Sequence, residues 1–194
     1  MLNDALTATL DAVKIFQALD IPYFIGGSLA TAVHGVARAT MDVDMIAELS
    51  LEQVQALTEG LSFAFYVDDE MIQEAILHQS SFNLIHKETF FKVDVFARSN
   101  KPFDQAQFTR RRAYPLGPDS HETAYFATPE DNILAKLDWY RLGGEVSDRQ
   151  WNDILNVIKI QGDRLDQAYL HQWATQLNLA KLLDRVLAQA NLPQ

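Results

Sequence analysis

The chain has 194 residues, 48% of them apolar and 22% charged, with a formal net charge of −10 and no cysteine. That balance excludes a disordered chain, and the missing thiols exclude disulfides, thiolate zinc sites and a cysteine nucleophile, leaving oxygen or histidine donors for hard cations such as Mg²⁺. No apolar run reaches the roughly 18 residues needed to span a bilayer and the N-terminus carries acids where a secretion signal carries bases, so a cytoplasmic address without a membrane partner is expected.

Residues 4–18 place Leu6, Leu10, Val13 and Phe16 near helical spacing, and Pro22 closes that helix before the apolar strand Tyr23-Phe24-Ile25. Gly26-Gly27 breaks the strand, and residues 28–34 suit a short helix, which gives strand, glycine turn and helix in succession. Met41-Asp42-Val43-Asp44-Met45 then alternates apolar and acidic residues with the period of a strand, so both aspartates share one face. A capping box at Ser50-Leu51-Glu52-Gln53 predicts a helix ending near Gly60, residues 61–67 read as a strand, and a short helix spans roughly 69–78.

The segments 81–86 and 90–96 read as a hairpin, in which Phe91, Val93 and Val95 share one face and Lys92 and Asp94 the other. Residues 109–126 read as two more strands around the turn Leu116-Gly117-Pro118-Asp119, and the basic run Arg110-Arg111-Arg112 is either a local patch or solvated strand. From Thr128 the pattern is helical. Thr128-Pro129-Glu130-Asp131 supplies an N-cap, a proline at the first position and acids in the first turn; further helices start near Ser147 and Asp166, and a last one spans about 177–190. The reading is an α/β (α+β) core over 1–127 followed by a helical region, 128–194, packed on it.

Two carboxylates on one strand face repel one another, and a divalent cation removes that penalty. Phosphoryl and nucleotidyl transfer use paired metals held in this way. A D-x-D pair also occurs on exposed edge strands for solubility. Here it follows a glycine turn at a helix start, where free N–H groups and the helix dipole suit a phosphate, and Asp94 stands in another apolar strand. Gly26-Gly27-Ser28 has neither the Walker nor the dinucleotide-binding glycine spacing.

Ile25-Gly26-Gly27-Ser28, a spacer of thirteen residues and Asp42-Val43-Asp44 together resemble the signature of the DNA polymerase beta nucleotidyltransferase superfamily, with Asp94 in Lys92-Val93-Asp94-Val95 as its third carboxylate. GGSLATAVHGVARATMDVD (26–44), ATPEDNILAKLDWY (127–140) and SDRQWNDI (147–154) look more loosely like the small bacterial enzymes related to abortive-infection, toxin–antitoxin and aminoglycoside-modifying nucleotidyltransferases. The resemblance implies a mixed sheet with flanking helices, dependence on two Mg²⁺ ions, and transfer of a nucleoside monophosphate from a nucleoside triphosphate to an acceptor hydroxyl. It also implies metal-binding roles for Asp42, Asp44 and Asp94, with Asp94 helping to deprotonate the acceptor, and a triphosphate cradle at Gly26, Gly27 and Ser28. Arg38 lies between cradle and carboxylates, where it either neutralises phosphate charge or pairs with a nearby acid. The head of Lys136 either reaches a phosphate or snorkels to water.

Several candidates have ordinary structural explanations. Ser147 and Gln150 fit a capping box, which leaves Arg149 as the site candidate there, and the five histidines have no metal-ligand spacing. Trp139, Tyr140 and Trp151 either stack a base or belong to the helical core. Residues 1–100 hold 14 acidic and five basic side chains and residues 101–194 hold 12 and 11, which disfavours long duplex nucleic acid as partner. A tRNA end, a protein hydroxyl or a cationic small molecule all remain as acceptors. The alternative is a non-catalytic module of the same fold, such as a toxin–antitoxin component, that works by binding a protein partner.

Overall fold

A computed structural model describes residues 2–36, 40–116 and 122–190. Arg38, His121 and the Gly117-Pro118-Asp119 part of the expected turn lie outside them. In chain order the elements are α1 (Leu2–Ala18), β1 (Tyr23–Ile25), α2 (Gly27–His34), β2 (Asp42–Ala47), α3 (Val54–Leu61), β3 (Phe65–Tyr66), α4 (Asp69–His78), β4 (Ser81–His86) and β5 (Lys92–Ala97). They continue with α5 (Pro102–Arg110), β6 (Arg112–Pro115), β7 (Thr123–Phe126), α6 (Pro129–Leu142), α7 (Asp148–Gln161), α8 (Gln167–Gln176) and α9 (Ala180–Gln189). Among the described residues no helix is long and apolar enough to cross a membrane. The elements fall into two units, one containing the sheet with α1 and α3–α5, the other containing α2 and α6–α9.

In the first unit the strands form one mixed sheet in the order β3-β4-β5-β2-β1-β7-β6. The central pair, β2 and β5, is parallel, and β1 runs antiparallel to β2 and parallel to β7. Strand alternation sends Val43, Met45, Val93, Val95 and Leu84 to one face, where each is fully buried, and α1 and α4 pack against those strands. α1 presents small residues to this core. Ala5, Ala8, Ala12 and Phe16 are fully buried, whereas Leu6 and Leu10 stay partly exposed, so the buried stripe is rotated from the one that the leucines suggest. On the opposite face, Phe108 of α5 meets Phe24 of β1 edge-on at 5.1 Å.

The helix expected to end near Gly60 closes at Leu61, and Leu57 and Leu61 are both fully buried one turn apart. Gly60 also lets α1 approach, since a Cβ there would lie 2.9 Å from Ile15 Cγ2. The strand expected over 61–67 is shorter than its sequence reading and covers only Phe65–Tyr66. The helix α5 is absent from the sequence reading, although Pro102 at its first turn and Asp104 beside it are ordinary start signals.

The second unit is cross-linked by buried polar side chains. Thr128 caps α6 and donates to Asp131, which accepts a second bond from Tyr169 of α8 at 2.6 Å. Glu130 accepts from the backbone N–H of Asp166, the cap of α8. Asn132 donates to Thr31 of α2, and Lys136 of α6 pairs with Asp153 of α7 at 2.9 Å, with side chains only 9% and 6% exposed. His34 of α2 is buried, and its Nε2–H donates to the Ala127 carbonyl at 2.7 Å. Burial holds its pKa below the ordinary value of 6.5, against the opposing pull of that carbonyl and of Glu130.

Lys136→Met strands the Asp153 carboxylate in this interior and is expected to cost about 3–5 kcal/mol, most of it recovered in Lys136→Met/Asp153→Leu, as read by urea unfolding. His34 is neutral in the folded chain and takes up a proton more readily in the unfolded one. Its contribution to stability is therefore complete above about pH 6.5 and declines as the pH falls through the lower folded-state pKa. His34→Gln is expected to flatten the loss of stability between pH 7 and pH 5, and an unchanged pH profile would exclude His34 as its source.

Candidate active site

The candidate site begins with register. β2 and β5 run parallel with Asp42 opposite Lys92 and Asp44 opposite Asp94, so all four side chains project from the same sheet face across strands about 4.8 Å apart. The intervening Val43, Val93 and Val95 anchor both strands in the core on the other side, which fixes this face. A slip of one residue would bury the acids. The aspartates are half-buried, and the Asp94 side chain is 14% exposed.

The structure thus brings Asp42, Asp44 and Asp94 to one face and adds a fourth charge whose role sequence reasoning missed. Lys92 Nζ donates to Asp94 Oδ2 at 2.6 Å. Its ammonium is held above the usual lysine pKa, first by that hydrogen bond, against some desolvation, and then by the charges of Asp94, Asp42 and Asp44. The signal was available, since Lys92 shares strand parity with Asp94. Thr40 Oγ1 donates to the Asp42 carbonyl at 2.9 Å and lies 3.3 Å from its Oδ1, tying down the start of β2.

The glycine turn adjoins β2. Gly26 donates its N–H to the Asp44 carbonyl at 2.9 Å, and a Cβ on it would meet Ile46 Cδ1 at 3.3 Å. Gly27 has φ +55°, a left-handed conformation that a side chain would disfavour, and there the chain enters α2. Thr31 Oγ1 closes the first turn on the Gly27 carbonyl at 3.0 Å. Gly26 belongs to the sheet unit, whereas Gly27 and Ser28 belong to the helical unit.

Other candidates are engaged within their own units. The ammonium of Lys136 is taken by Asp153, so it neither snorkels to water nor projects freely. Tyr140 packs on Trp151 at 5.1 Å with the Arg185 guanidinium over both rings, while Trp139 is largely exposed. The basic run is divided between α5 and β6, and Arg111 lies over the rings of Phe108 and Tyr125. A cleft of about 490 Å³ lined by Glu48, Arg98, Phe108 and Arg111 opens at the far ends of β2 and β5, away from the three aspartates.

Among the described residues no three acidic or histidine side chains stand together as a ready metal cage. The donors nevertheless fit a hard divalent cation, being half-buried carboxylate oxygens on adjacent strands.

No family model and no curated protein matches the sequence. Solved structures do match. The antibiotic-resistance factor ANT(2'')-Ia, in complex with adenylyl-2''-tobramycin, has a TM-score of 0.61 at 10% identity, over 89% of this chain and 96% of that one. An antigenic nucleotidyltransferase-like protein from Paracoccidioides brasiliensis has a TM-score of 0.55 at 18% identity, covering 96% and 92%. JHP933 from Helicobacter pylori has a TM-score of 0.55 at 14% identity, covering 96% and 77%. The mixed sheet with its flanking helices and helical C-terminal region has the nucleotidyltransferase fold.

Proposed function

We propose that the chain is a nucleotidyltransferase that moves a nucleoside monophosphate from a nucleoside triphosphate to an acceptor hydroxyl. The observation that carries this reading is the parallel β2–β5 register, which sets Asp44 opposite Asp94 on the face that also bears Asp42. The likeness in fold to ANT(2'')-Ia, a protein captured with an adenylylated aminoglycoside, supports it independently. The domains proposed for the reaction are a catalytic core over 1–127 and a helical region over 128–194.

In this reading Asp42, Asp44 and Asp94 would hold two Mg²⁺ ions, which would supply Lewis-acid stabilisation of the developing charge. The chain's own residues do the remainder. Asp94 accepts the proton of the acceptor hydroxyl as its oxygen bonds to the α-phosphorus and pyrophosphate departs. Backbone N–H groups at Gly26, Gly27 and Ser28 would bind the triphosphate at the α2 start, with Arg38 as a further phosphate contact.

A cationic small molecule is the acceptor class we favour over a tRNA end or a protein hydroxyl. The net charge of −10 would steer such a molecule in, and the ANT(2'')-Ia likeness points the same way. Subgroup kinship with toxin–antitoxin enzymes and a cytoplasmic address belong to the same proposal.

Incubation with each α-labelled nucleoside triphosphate, Mg²⁺ and a panel of aminoglycosides, tRNA and extract protein is expected to label one acceptor class. Asp44→Asn should reduce that labelling by about two orders of magnitude or more while leaving the melting transition in place. Labelling that survives the substitution would refute the assignment. Failure of Mg²⁺ and every triphosphate to bind at millimolar concentration would favour the non-catalytic, protein-binding alternative.

A further inference from the structure

Lys92 stands out because it occupies a position where the fold requires no charge. Strand β5 is central, flanked by β2 and β4, and its inward residues are valines. A β-branched residue would satisfy strand propensity at position 92 at least as well as lysine. The ammonium instead lies opposite Asp42 in register and within 2.6 Å of Asp94 Oδ2. Asp44 stands on the same face, opposite Asp94.

We propose that Lys92 is the resident counter-ion of the carboxylate site, holding Asp94 while metal is absent and yielding it when a divalent cation enters. The inference rests on the functional reading above, in which Asp94 is a metal ligand. Lys92 and a divalent ion compete for the same oxygen, and two cations on one carboxylate repel each other strongly at these distances. The lysine therefore lets the chain fold without metal, and it weakens metal binding in exchange. Lys92 is a positioning residue: it acts on metal affinity through Asp94.

The experiment is a titration with Mn²⁺ alone, followed by electron paramagnetic resonance, on the full chain and on Lys92→Met, Lys92→Arg, Asp94→Asn and Lys92→Met/Asp94→Asn, with thermal melts of each protein in EDTA. Lys92→Met should bind Mn²⁺ about tenfold more tightly than the parent, Lys92→Arg within about threefold of it, and the gain should vanish when Asp94 is also replaced. In EDTA, Lys92→Met should melt about 2–4 °C below the parent, with the deficit reduced in the double variant. Equal or weaker Mn²⁺ binding by Lys92→Met, in a parent that binds Mn²⁺, overturns the proposal. If neither protein binds Mn²⁺, the metal-dependent function fails, and the EDTA melts decide the counter-ion role by themselves: a lowered melt rescued by Asp94→Asn upholds it, and an unchanged melt overturns it.

Discussion

The parallel pairing of β2 with β5 is the constraint on which the sheet unit depends. Over 42–45 and 92–95 the two strands alternate an apolar residue facing α1 and α4 with a charged one facing away, so a single register satisfies two demands. It buries Val43, Met45, Val93 and Val95, and it keeps the charges of Asp42, Asp44, Lys92 and Asp94 out of that interior. Shifting the strands by one residue would exchange the two sets and place unpaired carboxylates in the core. The hydrophobic core and the charged face are thus consequences of one arrangement.

Position within the sheet explains why the charges crowd together. Central strands have neighbours on both sides, so acids on them cannot splay outward as they would at an edge. The crowding must be relieved by a cation, and in this structure Lys92 supplies one. Gly26 donates its backbone N–H to the carbonyl of Asp44 itself, which ties the end of β1 to the middle of β2.

The helical unit is organised differently. Its apolar stripes, such as Leu182, Leu183, Val186 and Leu187 on α9, supply burial without specifying which helix meets which. Directional bonds supply that specificity. Asp131 with Tyr169, Glu130 with the α8 cap, Asn132 with Thr31 and Lys136 with Asp153 each join two particular helices, and all four start from the buried side of α6. The residues that look like ligands in the sequence, Lys136 above all, are the ones that hold these helices in register.

Local signals made much of this legible in advance. Thr128-Pro129, Ser147 and Asp166 cap the helices they were expected to start, and the alternation around Asp42 and Asp94 gave both the strands and the shared parity of their acids. Such features depend on nearest neighbours, and nearest neighbours are visible in a sequence. Gly60 marked the helix end as expected, but its second role, admitting α1 against it, shows only when Ile15 is seen there. In α1 the expected spacing gave the helix, while alanines share its buried face with Val13 and Phe16, and their small size matters only against a packed neighbour. By itself the sequence determined most element types, α5 excepted, together with the glycine turn and the parity of the three aspartates, all of which follow from backbone geometry over a few residues. Tertiary structure alone decided that Asp44 lies opposite Asp94, that Lys92 neutralises part of their charge and that Lys136 belongs to Asp153, because each of those pairings joins segments whose meeting is set by how the whole unit packs.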